Sequence, residues 1–191
     1  MFDDKKCYFG YHKKHMKKEI ILTAVLFAVS LGLFFGGIYL NGGKKNLLTV
    51  IAVLGLLPAG KELVGVIMSI KAVKFACSDK LYKAIKKATD ASAIEVRYDL
   101  YMTTYDAFYP IYSLTVIDDC ILGYTDVAFD ADKFEKHITK MLSQNGYKIS
   151  NIKIFDKEAK YTERLKSWCD QDNKQTDKEL LVLRLMENLS L

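Results

Sequence analysis

IILTAVLFAVSLGLFFGGIYL, residues 20–40, runs for 21 residues without a charge. At about 1.5 Å per helical residue it reaches roughly 30 Å, the thickness of a bilayer's hydrocarbon core. A second apolar run, LLTVIAVLGLLPAGKELVGVIMSI, residues 47–70, follows after the turn-forming link Asn41-Gly42-Gly43-Lys44-Lys45-Asn46. It is interrupted by Pro58, which predicts a kink, and by the adjacent pair Lys61 and Glu62. The first run is too long for a signal-peptide core and no small-residue cleavage site follows it. The pair therefore predicts a transmembrane hairpin over 20–71, between a basic tail (1–19) and a domain of ordinary size (72–191).

Mean hydropathy over the whole chain is only +0.03, an average of two unlike parts. Residues 1–70 hold 9 Lys and 4 acids, while residues 71–191 hold 19 basic and 19 acidic groups. Nucleic-acid binding draws most of its affinity from phosphate neutralisation, so a domain of zero net charge is not expected to take DNA or RNA. Six lysines precede the first run, two lie in the link, and six fall within residues 71–87. Lysines stay on the cytoplasmic side of a membrane, which predicts a multi-pass protein of the cell membrane with both termini in the cytoplasm. The Lys-rich tail is expected to attract anionic lipid. The cysteines Cys7, Cys77, Cys120 and Cys169 are far apart and form no Cys-x-x-Cys. That spacing is neither a disulfide framework nor a zinc signature, and free thiols suit a reducing compartment.

Two features inside the hairpin point to packing or function. Ala24, Ala28, Gly32 and Gly36 recur every four residues, a stripe that lets a second helix approach closely. The partner is either the second helix, through Ala52, Gly55 and Ala59, or the same stripe of a second copy. Lys61 and Glu62 are ionisable groups at mid-span, where such groups are costly and tend to be functional. Alternatively the true span is shorter and Lys61 snorkels to the interface.

The remaining sequence predicts a mixed α/β domain with the order α-β-β-β-α-β-α-α. Ser78 or Asp79 caps a helix to Asp90, with Leu81, Ala84, Ile85 and Ala88 on one face and Lys80, Lys83, Lys86 and Lys87 on the other. That lysine face is either solvated or set against lipid headgroups. Strict alternation over Ile94–Thr104 predicts a half-buried strand, with Glu95, Arg97 and Asp99 on its outer side. Strands at Tyr109–Ile117 and Cys120–Thr125 follow, joined at Asp118-Asp119. A helix capped by Asp132 and Glu135 stops at Gly146, and a strand over Lys148–Phe155 comes next. Helices around Ala159–Asp170 and after Thr176 complete the chain, the last boxed by Thr176 and Glu179. Three antiparallel strands and a parallel fourth give a mixed sheet with helices packed on it.

This element order over residues 78–155 resembles the core of restriction-endonuclease-like nucleases. Such enzymes place one acid on a strand and an acid-x-Lys pair on the next to hold a divalent metal. The corresponding stretch here, Tyr109–Thr125, offers Asp118 and Asp119 at a turn with no lysine at the matching offset. Asp99, Asp118 and Asp119 are the candidate acids if the domain is enzymatic. The hairpin-plus-domain layout and the Lys-, Ile- and Tyr-rich composition resemble two-helix membrane proteins of low-GC Gram-positive bacteria, a resemblance that implies no activity. No Gly-rich phosphate loop or Gly-x-Ser-x-Gly is present. His137 lies at the edge of an apolar helix stripe. No catalytic residue, cofactor or metal is called for. The sequence thus leads to a membrane-anchored interaction or regulatory module, which could form a homodimer or join a membrane partner protein. The alternatives are a divergent or inactive nuclease-like enzyme and an accessory subunit of a transport or secretion complex.

Overall fold

The structure, a computed structural model, describes residues 6–43, 46–90, 92, 94–104, 107–171 and 174–190. Lys5 of the tail and Lys44 and Lys45 of the link lie outside these residues. The chain divides into two compact units, His12–Lys74 and, discontinuously, Met1–Tyr11 with Phe75–Leu191.

The first unit is the apolar hairpin, α1 (Tyr11–Asn41) and α2 (Leu47–Val73). Both helices are long and apolar enough to cross a membrane. α1 starts nine residues before the apolar run, so Lys13, Lys14, Lys17 and Lys18 sit on helical turns rather than on an extended tail. α2 runs helical through Pro58. Asn46 caps α2 in a reciprocal box with Thr49 and donates from Nδ2 to the carbonyl of Gly37, 2.8 Å away, which closes the hairpin turn. The helices touch through small residues: a Cβ on Gly37 would meet Leu48 Cβ at 2.9 Å, and one on Gly55 would meet Ser30 Oγ at 2.7 Å.

The second unit holds α3 (Asp79–Thr89), β1 (Arg97–Thr103), β2 (Phe108–Ile117), β3 (Cys120–Tyr124), α4 (Ala131–Gln144), β4 (Asn151–Phe155), α5 (Glu158–Cys169) and α6 (Asp177–Leu189). The order is the one the sequence predicts. The sheet runs β1-β2-β3-β4, antiparallel except for the parallel β3–β4 pair. Its two faces are covered by different helices. Phe134, Ile138 and Leu142 of α4 and Val182, Leu183 and Met186 of α6 pack on Leu114, Val116 and Ile121. Leu81 and Ile85 of α3 and Tyr161, Leu165 and Trp168 of α5 pack on Ile117, Leu122 and Phe155.

Three local readings change. The helix after β3 is capped by Asp130, which accepts from Lys133 N, and not by Asp132. β1 is buried on both faces instead of one. Asp99 adopts φ +55°, and Tyr98 faces the α3/α5 core whereas Leu100 and Met102 face the α4/α6 core. One left-handed residue interrupts the alternation that the sequence pattern presumes.

The third change concerns the domain boundary. Tyr98 N donates to Cys7 O at 2.8 Å, Cys7 is buried, and Phe9 stacks on Tyr82 with ring centroids 4.1 Å apart. The N-terminal segment is therefore part of the domain, and the hairpin is inserted into it. Deleting residues 1–10 removes a buried thiol, a stacked ring and an edge hydrogen bond. The loss of stability is expected to be about 3 kcal/mol, measured by denaturant unfolding of the full and shortened chains in the same detergent.

Candidate functional site

A buried polar arrangement in the domain is built around Asp99, which is 1% exposed. Its Oδ1 accepts from Cys77 N at 2.6 Å and its Oδ2 from Gly10 N at 2.9 Å. Gly10 ends the segment before α1, and Cys77 lies in the segment after α2. One carboxylate thus holds the chain where it leaves the domain and where it returns. Hydrogen bonds to a charged acceptor are the stronger kind. Asp tolerates the left-handed backbone that aims the carboxylate there. Burial and the nearby Asp99 carboxylate push the Cys77 thiol up to about 12. Burial likewise lifts Cys7 to about 11. Neither is a thiolate nucleophile at neutral pH.

Arg97, next to this clasp, is also buried rather than on an outer face. It pairs with Glu95 at 2.8 Å and Glu187 at 3.0 Å, and lies over the Tyr8 ring at 5.2 Å. Burial opposes its charge, and the two carboxylates more than offset that and raise its pKa.

Asp118 and Asp119 form the two-residue β2–β3 turn, both left-handed at φ +51° and +53°. Such turns need positive φ at both central positions. Asp119 N donates to Glu179 Oε1 at 3.0 Å, and the Asp119 carboxylate pairs with Lys178 at 2.8 Å. Glu179, buried at the first turn of α6, also accepts from Thr176 N at 2.7 Å. An open cavity of ≈ 360 Å³ adjoins this turn, lined by both aspartates, Trp168, Lys174, Thr176, Lys178 and Glu179. Asp99 does not belong to it. In the β1–β2 register Asp99 lies between the pairs Tyr98–Ser113 and Leu100–Ile111, and Asp118 lies five positions beyond Ser113, about 17 Å at the rise of a strand. Ligands of one metal must all come within about 2.0–2.6 Å of it. The three acids named from the sequence do not converge on a shared metal.

In the hairpin, the face of α1 turned to α2 carries Thr23, Ser30 and Gly37, all buried. The Ala24-Ala28-Gly32-Gly36 stripe is not that face. Ala24, Ala28 and Gly32 are exposed, and a Cβ on Gly32 or Gly36 would meet nothing within 4 Å. Glu19, which the sequence reading passed over, accepts from Ser69 Oγ and lies 3.4 Å from His15 Nδ1. The i, i+4 spacing of His15 and Glu19 is the signal that could have found it. Lys61 is exposed and Glu62 half-buried, and among the described residues neither makes an ion pair.

Lys80, Lys83, Lys86 and Lys87 of α3 are all exposed, and among the described residues none is ion-paired. Comparison of the chain with known protein families, with curated proteins and with solved structures finds no match.

Three substitutions at two positions separate the roles of these acids. Asp99→Ala leaves two donors without an acceptor and strains the backbone, and is expected to cost about 3 kcal/mol. Asp99→Asn keeps one acceptor oxygen and is expected to cost about 2 kcal/mol. At the turn, Asp118→Gly relieves the left-handed conformation and is expected to add up to about 1 kcal/mol. Denaturation midpoints of the three variants check both statements.

Proposed function

We propose that this chain is a membrane-anchored cytoplasmic interaction or regulatory module: α1 and α2 cross the cell membrane and both termini stay in the cytoplasm. One observation carries the reading. Apart from Phe108 and Leu181, every large apolar side chain left exposed among the described residues belongs to α1 or α2. Only 17% of each apolar window is buried, whereas the core helix of a soluble protein is mostly covered. Apolar surface on this scale needs lipid or protein around it. The lysine asymmetry supports the orientation. Phe75, where the chain returns from α2, stacks with Tyr101 and adjoins the exposed Phe108, and aromatic side chains favour the membrane–water interface. The acids at 99, 118 and 119 lend no support to the nuclease-like alternative, since one serves the chain crossing and two shape a turn.

A second reading, lateral assembly with a second copy or with another membrane protein such as a transport or secretion subunit, is favoured by a separate observation. The Ala24–Gly36 stripe is left uncovered within the hairpin, and Lys61 and Glu62 have no ion-pair partner in the chain's described residues.

In native membranes the protein is expected to resist carbonate and high salt and to yield only to detergent. A cysteine introduced at Gly42 is expected to react with a membrane-impermeant maleimide added from outside, while one at Lys136 reacts only after the membrane is opened. Release by carbonate would defeat the anchoring, and the reverse labelling would defeat the orientation.

A further inference from the structure

We infer that the lysine face of α3, formed by Lys80, Lys83, Lys86 and Lys87, is the surface by which the domain rests on anionic phospholipid headgroups of the bilayer that holds α1 and α2. The inference rests on the membrane reading above and adds an orientation of the domain to it.

Four observations lead there. First, the four lysines occupy about one third of the helix circumference at 100° per residue. The opposite side, Leu81 and Ile85, is buried against α5 and the sheet. The face is therefore held rigidly outward by the core. Second, all four ammonium groups are exposed and unpaired among the described residues, although the domain has carboxylates enough elsewhere. Third, the charge is uneven along the chain. Residues 75–90 carry four lysines and two acids, while residues 91–191 carry 13 basic and 17 acidic groups. A local cluster of positive charge of this kind is attracted to an anionic surface. Fourth, α3 lies beside both chain crossings. Cys77 is two residues before its first turn, and Phe9, two residues before α1, stacks on Tyr82 of α3. The helix spans only about 16 Å at 1.5 Å per residue. Its lysines therefore lie near the two places where the chain leaves the domain and returns to it.

A nucleic acid would be drawn by the same cations. It is the weaker candidate, because the remainder of the domain carries an acidic excess that would repel a long polyanion.

The test uses the full chain reconstituted in nanodiscs of phosphatidylcholine alone or mixed with phosphatidylglycerol. Exposed amines are acetylated briefly and the sites are read by mass spectrometry. In the anionic discs, modification of Lys80, Lys83, Lys86 and Lys87 is expected to slow by about threefold or more. Lys136 and Lys140 of α4, which packs on the other face of the sheet, keep one rate throughout. High salt, which shortens the screening length from about 10 Å at 0.1 M to about 3 Å at 1 M, is expected to abolish the protection. Equal rates for the α3 lysines in the two kinds of disc would overturn the inference and leave the membrane anchor intact. Protection that requires an added oligonucleotide in neutral discs would also overturn it, in favour of nucleic acid. A chain that does not enter the discs at all would overturn both the inference and the anchor.

Discussion

The architecture depends on one carboxylate. Two stretches of chain that are more than sixty residues apart in sequence, around Gly10 and Cys77, meet at the two oxygens of Asp99. Without that acceptor, two backbone donors in a largely dry environment would lack partners, which costs more than the net worth of an ordinary hydrogen bond. The same residue turns the β1 backbone into the left-handed region and sends Tyr98 to one core and Leu100 and Met102 to the other. Chain crossing and core assignment are thus set at a single position.

β1 is an edge strand, and the domain closes that edge with its own chain. Cys7 supplies a carbonyl to Tyr98 N, and Ser190 Oγ accepts from Tyr101 N at 2.9 Å and forms a bridge with Met102. Unpaired strand edges invite pairing with other chains. Here segments from near both ends of the chain occupy the edge, so β1 is not open for strand addition along this stretch.

Much of this fold was legible from residue pattern. The two apolar runs, the order of strands and helices, the Thr176–Glu179 box and the Asp118-Asp119 turn all follow from local periodicity and turn chemistry. What stayed hidden is non-local. Nothing near Cys7 or Gly10 in sequence announces that they pack on a strand some ninety residues later. The alternation at Ile94–Thr104 read Asp99 as an outward acid because a period of two assumes regular strand backbone, and φ +55° breaks that assumption. The small-residue stripe of α1 was visible, but which helix face meets α2 is decided by the turn at Asn46 and the fit of Gly37 and Gly55. The candidate site followed the same rule. The residue types were right for metal chemistry, and their separation along the sheet was set by register, which composition does not carry.

The discontinuous domain imposes an order on biogenesis. Residues 6–10 are synthesised ahead of both long helices, yet the strand they pair with follows only after those helices have been made. The N-terminal segment must therefore wait, unpaired, through the synthesis of the whole hairpin. Formation of both long helices is placed ahead of closure of the domain, and a chain stalled before β1 leaves that segment without the strand it pairs with.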